Sequence, residues 1–149
     1  MSITSVLFVC LGNVNRSCTA EYVLKARCPQ LRSGSAGTGG HFAGDPAMSE
    51  MVRACRHRGI DITPHRARKV EGEDFSKFDL IIAMDENNLR DLLAMCPPEY
   101  HGKLRLLLRD YAPELGLKDT PDPYYEGGHD RVFECILKGV DGLVKREGF

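Results

Sequence analysis

Three short apolar segments and a weaker fourth one, separated by turns, loops and helical stretches, constrain the fold of this chain more than any other feature. Residues 5–10 (SVLFVC) and 78–84 (FDLIIAM) are apolar almost throughout, and residues 103–108 (KLRLLL) form a third run of this kind. Residues 31–36 make a weaker fourth segment. Strands that are apolar without alternation are buried on both faces, as in parallel sheets. The sequence therefore predicts about four parallel strands.

Helical periodicity occupies the stretches between these segments. The predicted helices cover residues 17–27, 86–95, 129–145 and a stretch from a cap at Asp45 or Ser49 to His57. A polar, proline-rich loop is predicted over residues 111–128. Alternating strands and helices predict an α/β fold, a single doubly wound three-layer sandwich around the central sheet. Ligands of such folds bind at the carboxyl ends of the strands.

Length and charge limit the classes of function. The 149 residues suffice for one domain, so residues 1–149 are predicted to form a single domain. The 20 basic and 21 acidic side chains give a net charge of −1 and form no basic block, which argues against binding to nucleic acid or to a membrane surface. No apolar stretch reaches the ~20 residues of a membrane span and no signal-peptide pattern is present, so we expect a cytoplasmic protein. The six cysteines include no CxxC pair, as is typical of reduced thiols.

The segment CLGNVNRS, residues 10–17, has the chemistry of an anion site. It lies between the first predicted strand and the first predicted helix, so its backbone N–H groups can converge on an anion at a helix N-terminus. Arg16 can donate two parallel hydrogen bonds to a phosphate group. The same positive field favours the thiolate of Cys10, which makes that residue a candidate nucleophile, and Ser17 is placed to donate a hydrogen bond to the sulfur.

The chain resembles the low-molecular-weight protein tyrosine phosphatases over almost its whole length. The likeness rests on VLFVCLGN with the Arg-Ser that follows, SAGT at 35–38, HRAR at 65–68, MDENNL at 84–89 and DPYY at 122–125. The resemblance implies a phosphatase that hydrolyses phosphotyrosine through a phosphocysteine, with Cys10 as nucleophile and Arg16 as phosphate clamp. The residues that it implies in substrate and phosphate binding are Leu11, Gly12, Asn13, Val14, Asn15 and Ser17.

The DPYY segment supplies the group that the loop lacks, because a departing phenolate needs a proton. The resemblance implies that Asp122 is the general acid and that Tyr124 and Tyr125 form an aromatic wall for the substrate ring. His41 and Phe42 fall in a loop that the family uses for substrate preference. The residues implied to hold the phosphate loop from behind by hydrogen bonds are Asn13, Ser17, Ser35 and His65.

Two positions depart from the family pattern. Asn15 stands where the family usually has a second cysteine, which captures the oxidised nucleophile as a disulfide, and Cys18 stands where it usually has proline. We therefore hypothesise that this reversible protection is lost, or that Cys18 replaces it poorly. Hydrolysis should survive the change, because backbone amides form the anion site. Val14 resembles the phosphotyrosine-selective members, whereas phosphoarginine-selective members have threonine there.

The expected reaction needs neither a metal nor a cofactor, since the sequence has no metal-binding motif. As partners the resemblance implies a tyrosine-phosphorylated protein, with a tyrosine kinase among the candidates, and inorganic phosphate or other oxyanions as inhibitors. We expect a monomer or weak dimer. Two alternatives are a thiol-dependent arsenate reductase of the same fold, which needs two further neighbouring cysteines, and a non-catalytic phosphate-binding regulatory module, which needs neither a nucleophile nor an acid.

Overall fold

The centre of the fold is a parallel sheet of four strands. A computed structural model describes residues 2–149, apart from the side chains of residues 125 and 126. The strands are β1 (Ser5–Cys10), β2 (Arg32–Gly37), β3 (Leu80–Ala83) and β4 (Leu104–Leu106). Their order across the sheet is β2-β1-β3-β4, and all neighbouring strands are parallel. This confirms the predicted strand number and direction.

Helices cover both faces of the sheet. They are α1 (Arg16–Arg27), α2 (Ser49–Arg56), α3 (Asp74–Lys77), α4 (Glu86–Met95), α5 (Leu107–Tyr111), α6 (Pro123–Glu126) and α7 (His129–Glu147), with 3₁₀ turns at Pro98–Lys103 and Pro113–Leu115. Successive side chains of a strand point to opposite faces. Val6 and Phe8 of β1 therefore pack with residues of α1 and α7, whereas Leu7 and Val9 pack with residues of α3 and α4. The two cores confirm the three-layer sandwich.

Several predicted boundaries are confirmed and others are wrong. β1 and α4 have the predicted bounds, α1 begins one residue early, and α7 ends two residues late. The strand predicted over 103–108 is wrong in its second half, because residues 107–111 form α5. Leu107 and Leu108 are fully buried in this helix. A short apolar run is equally compatible with a buried strand or a buried helix, so periodicity could not separate the two.

The remaining differences concern strand ends and caps. β2 is displaced by one residue from 31–36, and β3 is shorter than 78–84 because Phe78 ends α3. α2 begins at Ser49 with Met48 at its N-cap, so the cap predicted at Asp45 or at Ser49 is wrong. The loop predicted over 111–128 contains α6 and one of the 3₁₀ turns, which proline at their first positions favours.

The carboxyl edge of the sheet brings distant segments together. β1 ends at Cys10, beside Gly37 at the end of β2, and Asp85 follows β3 closely. The loop that leads into α6 reaches the same edge, since the Thr120 N–H donates to the carbonyl of Met84. Among the helices described, none is both long and apolar enough for a membrane crossing.

Candidate active site

A cavity of about 330 Å³ opens at the carboxyl edge of the sheet, where the sequence predicted a ligand site. The loop between β1 and α1 forms one wall, and the segment before α6 forms another. The lining residues are Cys10, Leu11, Gly12, Asn13, Val14, Asn15, Arg16, His41, Phe42, Asp122 and Tyr124. The structure thus brings together the thiol, the arginine and the carboxylic acid that the sequence singled out.

Cys10 lies at the base of this cavity, where β1 ends and the loop begins. Its side chain is largely buried, with 3% of the residue exposed. The Asn13 N–H donates to its Sγ at 3.3 Å, and Ser17 Oγ lies 3.0 Å from the same sulfur. Ser17 stands in the first turn of α1, within hydrogen-bond distance of the sulfur for which the sequence predicted it as a donor. The sulfur thus has two polar neighbours from the loop and from the first turn of α1.

Asn13 determines the shape of the loop. Its backbone has φ of +58°, in the left-handed region that asparagine tolerates better than most residues. The side chain is fully buried, and its Oδ1 accepts from the Arg68 N–H at 2.9 Å. Its Nδ2 donates to Ser17 Oγ at 2.8 Å and to Ser35 Oγ at 3.0 Å. His65 Nε2 contacts the Asn13 carbonyl at 2.6 Å, so both Ser35 and His65 lie behind the loop as predicted.

Two further charged residues extend this network. Ser35 donates to Glu21 Oε1 at 2.6 Å, and the Lys25 ammonium binds Glu21 Oε2 at 2.6 Å. The sequence does not indicate Glu21 as a site residue, because an i,i+4 pair with Lys25 is typical of an exposed helix face. Burial lowers the pKa of His65, whereas its bond to the Asn13 carbonyl and the nearby Glu21 carboxylate oppose that shift.

Arg16 connects the loop to two other segments. The residue is 2% exposed, and its Nη1 donates to Asp85 Oδ2 and to the Thr120 carbonyl, both at 2.9 Å. Its Nη2 lies 3.4 Å from Asp122 Oδ2. Burial alone would lower the pKa of Arg16, but attraction to Cys10, Asp122 and Asp85 outweighs this effect and raises it. Arg16 is therefore a fixed, fully charged guanidinium at the cavity wall.

Asp85 is held for this contact by its own helix. It is the N-cap of α4, where its Oδ1 accepts from the Asn88 N–H at 2.7 Å and the Asn88 side chain returns a bond to the Asp85 N–H. This capping box leaves Oδ2 free to bind Arg16. The sequence placed Asp85 within a family motif without a role, and the capping pattern was the signal that could have located it.

Asp122 and an aromatic pair border the open side of the cavity. Asp122 caps α6, with its Oδ1 accepting from the Tyr124 N–H at 3.0 Å, so Oδ2 is the oxygen that faces Arg16. Tyr124 is 54% exposed and stands edge-on to Phe42, with ring centroids 6.3 Å apart. Phe42 packs closely on Gly12, where a Cβ would lie 2.8 Å from the ring. Tyr125 was predicted to share this aromatic wall, but its side chain lies outside the described part of the chain.

Asn15 and Cys18, the two departures from the family pattern, have different surroundings. Asn15 is 5% exposed and donates through Nδ2 to Met48 Sδ at 3.0 Å, while its Oδ1 is buried without a hydrogen-bond partner among the described atoms. Cys18 is fully buried in the core, and its Sγ donates to the Asn15 carbonyl. Burial raises the pKa of the Cys18 thiol well above its usual value, with a further contribution from Cys10. Cys18 therefore belongs to the core side of α1.

Comparison with known proteins identifies the family. The model of the low molecular weight phosphotyrosine protein phosphatase family matches residues 5–146. The chain belongs to this family. It is a protein-tyrosine phosphatase, as the names of its relatives indicate.

Relatives of the phosphatase occur in bacteria and eukaryotes. It is 36% identical to the low molecular weight protein-tyrosine-phosphatase YfkJ of Bacillus subtilis, over 94% of this chain and 93% of the relative. It is 39% identical to the human low molecular weight phosphotyrosine protein phosphatase, over 90% and 87% of the two chains. The crystal structure of YfkJ matches with a TM-score of 0.92 at 35% identity, covering 100% of this chain and 99% of that one. A protein tyrosine phosphatase from Entamoeba histolytica, solved with Hepes in its active site, matches with a TM-score of 0.89 at 34% identity, covering 95% of each chain.

Proposed function

We propose that the phosphatase hydrolyses phosphotyrosine in proteins by two in-line displacements, with Cys10 as nucleophile, Arg16 as phosphate clamp and Asp122 as general acid and base. The observation that supports this most directly is the meeting of the three side chains at one cavity, although Asp122 is far from the other two in sequence. The alternatives lose support from the family membership. An arsenate reductase would need its further thiols at the cavity. Cys96 and Cys135 are buried and are not among the described residues that line it.

The first displacement forms a phosphocysteine. The Cys10 thiolate attacks phosphorus while the bond from phosphorus to the phenolic oxygen breaks, and the Asp122 carboxyl gives its proton to that oxygen. Arg16 and the N–H groups of the loop bind the three equatorial oxygens, which stabilises the negative charge of the transition state. Because Asn13 is fixed by bonds to three segments, the loop needs little reorganisation during this step.

Arg16 changes partner when the substrate binds. In the free enzyme Nη2 faces Asp122 at 3.4 Å, a weak contact, whereas the two Nη1 bonds are 2.9 Å. A phosphate dianion competes for Nη2 more strongly than a carboxylate does. Substrate binding therefore releases Asp122 from Arg16, which leaves its carboxyl free to turn to the leaving oxygen.

The second displacement regenerates the enzyme. Asp122, now ionised, takes a proton from a water molecule, the water oxygen attacks phosphorus, and the phosphorus–sulfur bond breaks to return the Cys10 thiolate. Inorganic phosphate leaves as the product, so phosphate and similar oxyanions should inhibit competitively. The proposed chemistry uses no metal and no cofactor.

The open side of the cavity supports an aryl phosphate as substrate. Phe42 and Tyr124 form an apolar wall, and the buried Val14 also lines the cavity. We propose a tyrosine-phosphorylated protein as partner, with a tyrosine kinase as one candidate, and a monomer or weak dimer built of the single domain 1–149. Since the described cysteines are all free and the nucleophile is a thiol, a reducing compartment such as the cytoplasm suits the enzyme.

Pre-steady-state release of p-nitrophenol from excess p-nitrophenyl phosphate at about pH 6, with EDTA present, tests this function. The parent should give a burst, and Cys10→Ser should give no reaction. Asp122→Asn keeps the cap on Tyr124 but removes the acid, so it should lower the rate by about 10²-fold or more. Cys96→Ser and Asp119→Asn change the same residue types away from the cavity and serve as matched controls.

The outcomes separate the candidate functions. Phosphate or vanadate binding without turnover in the parent would favour a binding module, and thiol-dependent reduction of arsenate would favour a reductase. Loss of the burst with EDTA would contradict a reaction that uses no metal. Substrate range then follows from kcat/KM on phosphotyrosine, phosphoserine and phosphoarginine peptides.

A further inference from the structure

We infer that Glu21 is a positioning residue for the phosphatase reaction, because its carboxylate fixes the Ser35 hydroxyl and, together with the Arg68 N–H that orients Asn13, orders the hydrogen bonds that end at Cys10. Glu21 lies on α1 beneath the loop, outside the cavity lining, and its side chain is 10% exposed. It therefore acts through other residues. The inference rests on the proposed role of Cys10 as nucleophile.

The bonds begin at the Glu21 carboxylate. Lys25 Nζ donates to Oε2 and Ser35 Oγ donates to Oε1, each at 2.6 Å. An ionised carboxylate only accepts hydrogen bonds, and a hydroxyl has a single hydrogen to donate. Ser35 therefore gives its hydrogen to Glu21 and presents only lone pairs to Asn13.

The Asn13 amide links Ser35 to the active site by hydrogen bonds. Its Oδ1 is occupied by the Arg68 N–H, so its Nδ2 faces the two serines, at 3.0 Å from Ser35 Oγ and 2.8 Å from Ser17 Oγ. The two amide hydrogens serve one serine each. Ser17 thus accepts from Asn13, and its own hydrogen is directed to the Cys10 sulfur 3.0 Å away.

The result is a sulfur that accepts from both the Ser17 hydroxyl and the Asn13 N–H. This arrangement suits a thiolate nucleophile and a thiolate leaving group. Glu21 anchors Ser35 at the far end of this buried set of bonds, and Lys25 balances its charge at the surface.

A glutamine of the same size cannot do this. It has one oxygen and one NH₂ group, whereas Lys25 and Ser35 both donate to Glu21. If the glutamine oxygen faces Lys25, its NH₂ competes with Asn13 for Ser35 Oγ, and the Ser35 hydrogen loses its acceptor. Replacing Lys25 with methionine removes the competing donor, so the glutamine can turn its oxygen towards Ser35. Lys25→Met should therefore rescue Glu21→Gln.

Charge alone predicts the opposite sign. Arg16 and Cys18 interact electrostatically with Cys10, Asp122 lines the same cavity, and His65 contacts the loop at Asn13; none of these residues is substituted in the variants. Removing the negative charge of Glu21 would by itself favour the thiolate. Disordering the Ser17 bond disfavours it. The direction of the change thus distinguishes the two effects.

Alkylation of Cys10 by iodoacetamide as a function of pH, with labelling of Cys10→Ser subtracted, measures the thiolate without requiring turnover. In Glu21→Gln the midpoint should rise by about 0.5 to 1 pH unit, since a bond to a charged sulfur is weakened but not removed. The acid limb of kcat/KM for p-nitrophenyl phosphate should move with it. Glu21→Gln combined with Lys25→Met should return to the parent midpoint.

Two serine variants complete the test: Ser35→Ala is a second probe, and Ser33→Ala is the matched control. Ser35→Ala removes the link to Glu21 and should raise the midpoint as Glu21→Gln does. Ser33, two residues earlier on β2, has a buried Oγ without a hydrogen-bond partner among the described atoms, so Ser33→Ala should leave the midpoint unchanged.

A midpoint that stays or falls in both Glu21→Gln and Ser35→Ala overturns the inference, as does failure of Lys25→Met to rescue. If Glu21→Gln does not fold, as judged by thermal melting, Ser35→Ala decides alone. An inactive parent whose midpoint still moves as expected would refute the proposed hydrolysis while retaining the hydrogen-bond order.

Discussion

Replacing Gly37 with alanine should impair catalysis through the backbone of the phosphate loop. Gly37 ends β2 beside Cys10, and a Cβ built on it lies 2.6 Å from the Leu11 carbonyl oxygen and 3.0 Å from that of Gly39. Ordinary contacts begin at 3.4 Å, so the contact with Leu11 must open by about 0.8 Å. Gly37 is held by bonds with Arg68 and Val70, so the loop is the part that moves.

A displacement of this size has a calculable consequence. A misplacement of about 1 Å at reacting groups costs about 10²-fold in rate, so kcat/KM for p-nitrophenyl phosphate should fall by one to two orders of magnitude. Forcing a methyl group into packed surroundings should also lower the free energy of unfolding by about 1–3 kcal/mol. The inhibition constant of inorganic phosphate should rise along with the loss in kcat/KM, because the proposed function assigns substrate and phosphate to the same loop.

Gly34 offers the matched control on the same strand. A Cβ there meets the end of the Phe78 ring at 3.1 Å, and a ring edge can yield where a backbone carbonyl cannot. Gly34→Ala should therefore retain activity even if its melting temperature changes. If Gly37→Ala keeps kcat/KM and phosphate inhibition within twofold of Gly34→Ala, the loop is not held as tightly as these contacts indicate.

Three further predictions concern oxidation, charge and pH. Peroxide should inactivate the parent in a way that dithiothreitol reverses only in part, whereas Asn15→Cys should recover fully through a disulfide with Cys10. Complete recovery of the parent, with a Cys10–Cys18 disulfide in its mass spectrum, would contradict this prediction. Asp85→Asn keeps the cap of α4 but weakens the bond to Arg16, so kcat/KM from steady-state kinetics should fall about tenfold. Asn in place of the exposed Asp91 should leave kcat/KM unchanged. Burial raises the pKa of Cys55 from 9.0 to about 11, so the unfolded chain loses this proton at lower pH than the folded chain does. The free energy of unfolding, measured by urea titration, should therefore fall as pH rises from 9 to 11, and it should fall less in Cys55→Ala.

The sequence was sufficient wherever function depends on neighbours in the chain. Cys10, Arg16 and Ser17 share one loop between a strand and a helix, so their spacing and the strand pattern together predicted the cavity at which the anion site is proposed. Asp122 was found through a motif and not through physics, because nothing local indicates that residue 122 returns to the end of β1. The half-wrong fourth strand has a similar cause, since burial alone does not choose between strand and helix.

What the sequence could not supply were contacts through main-chain atoms. The Arg68 N–H fixes the Asn13 amide and the Thr120 carbonyl fixes Arg16, yet every residue has such groups and no pattern singles them out. Glu21 was hidden for a different reason. A Glu-Lys pair at i,i+4 is typical of an exposed helix face, and only the packing of α1 against β2 turns the carboxylate inward to Ser35.

The bonds of Arg16 also bear on how the enzyme becomes active during its synthesis. Nη1 binds Asp85, 69 residues away, and the carbonyl of Thr120, 104 residues away. Contacts between such distant residues form late in folding, because closing a long loop has a large entropic cost. The nascent chain therefore presents the Cys10 thiol long before Arg16 acquires its partners, and phosphatase activity should begin only after the segment that contains Asp122 has left the ribosome and docked.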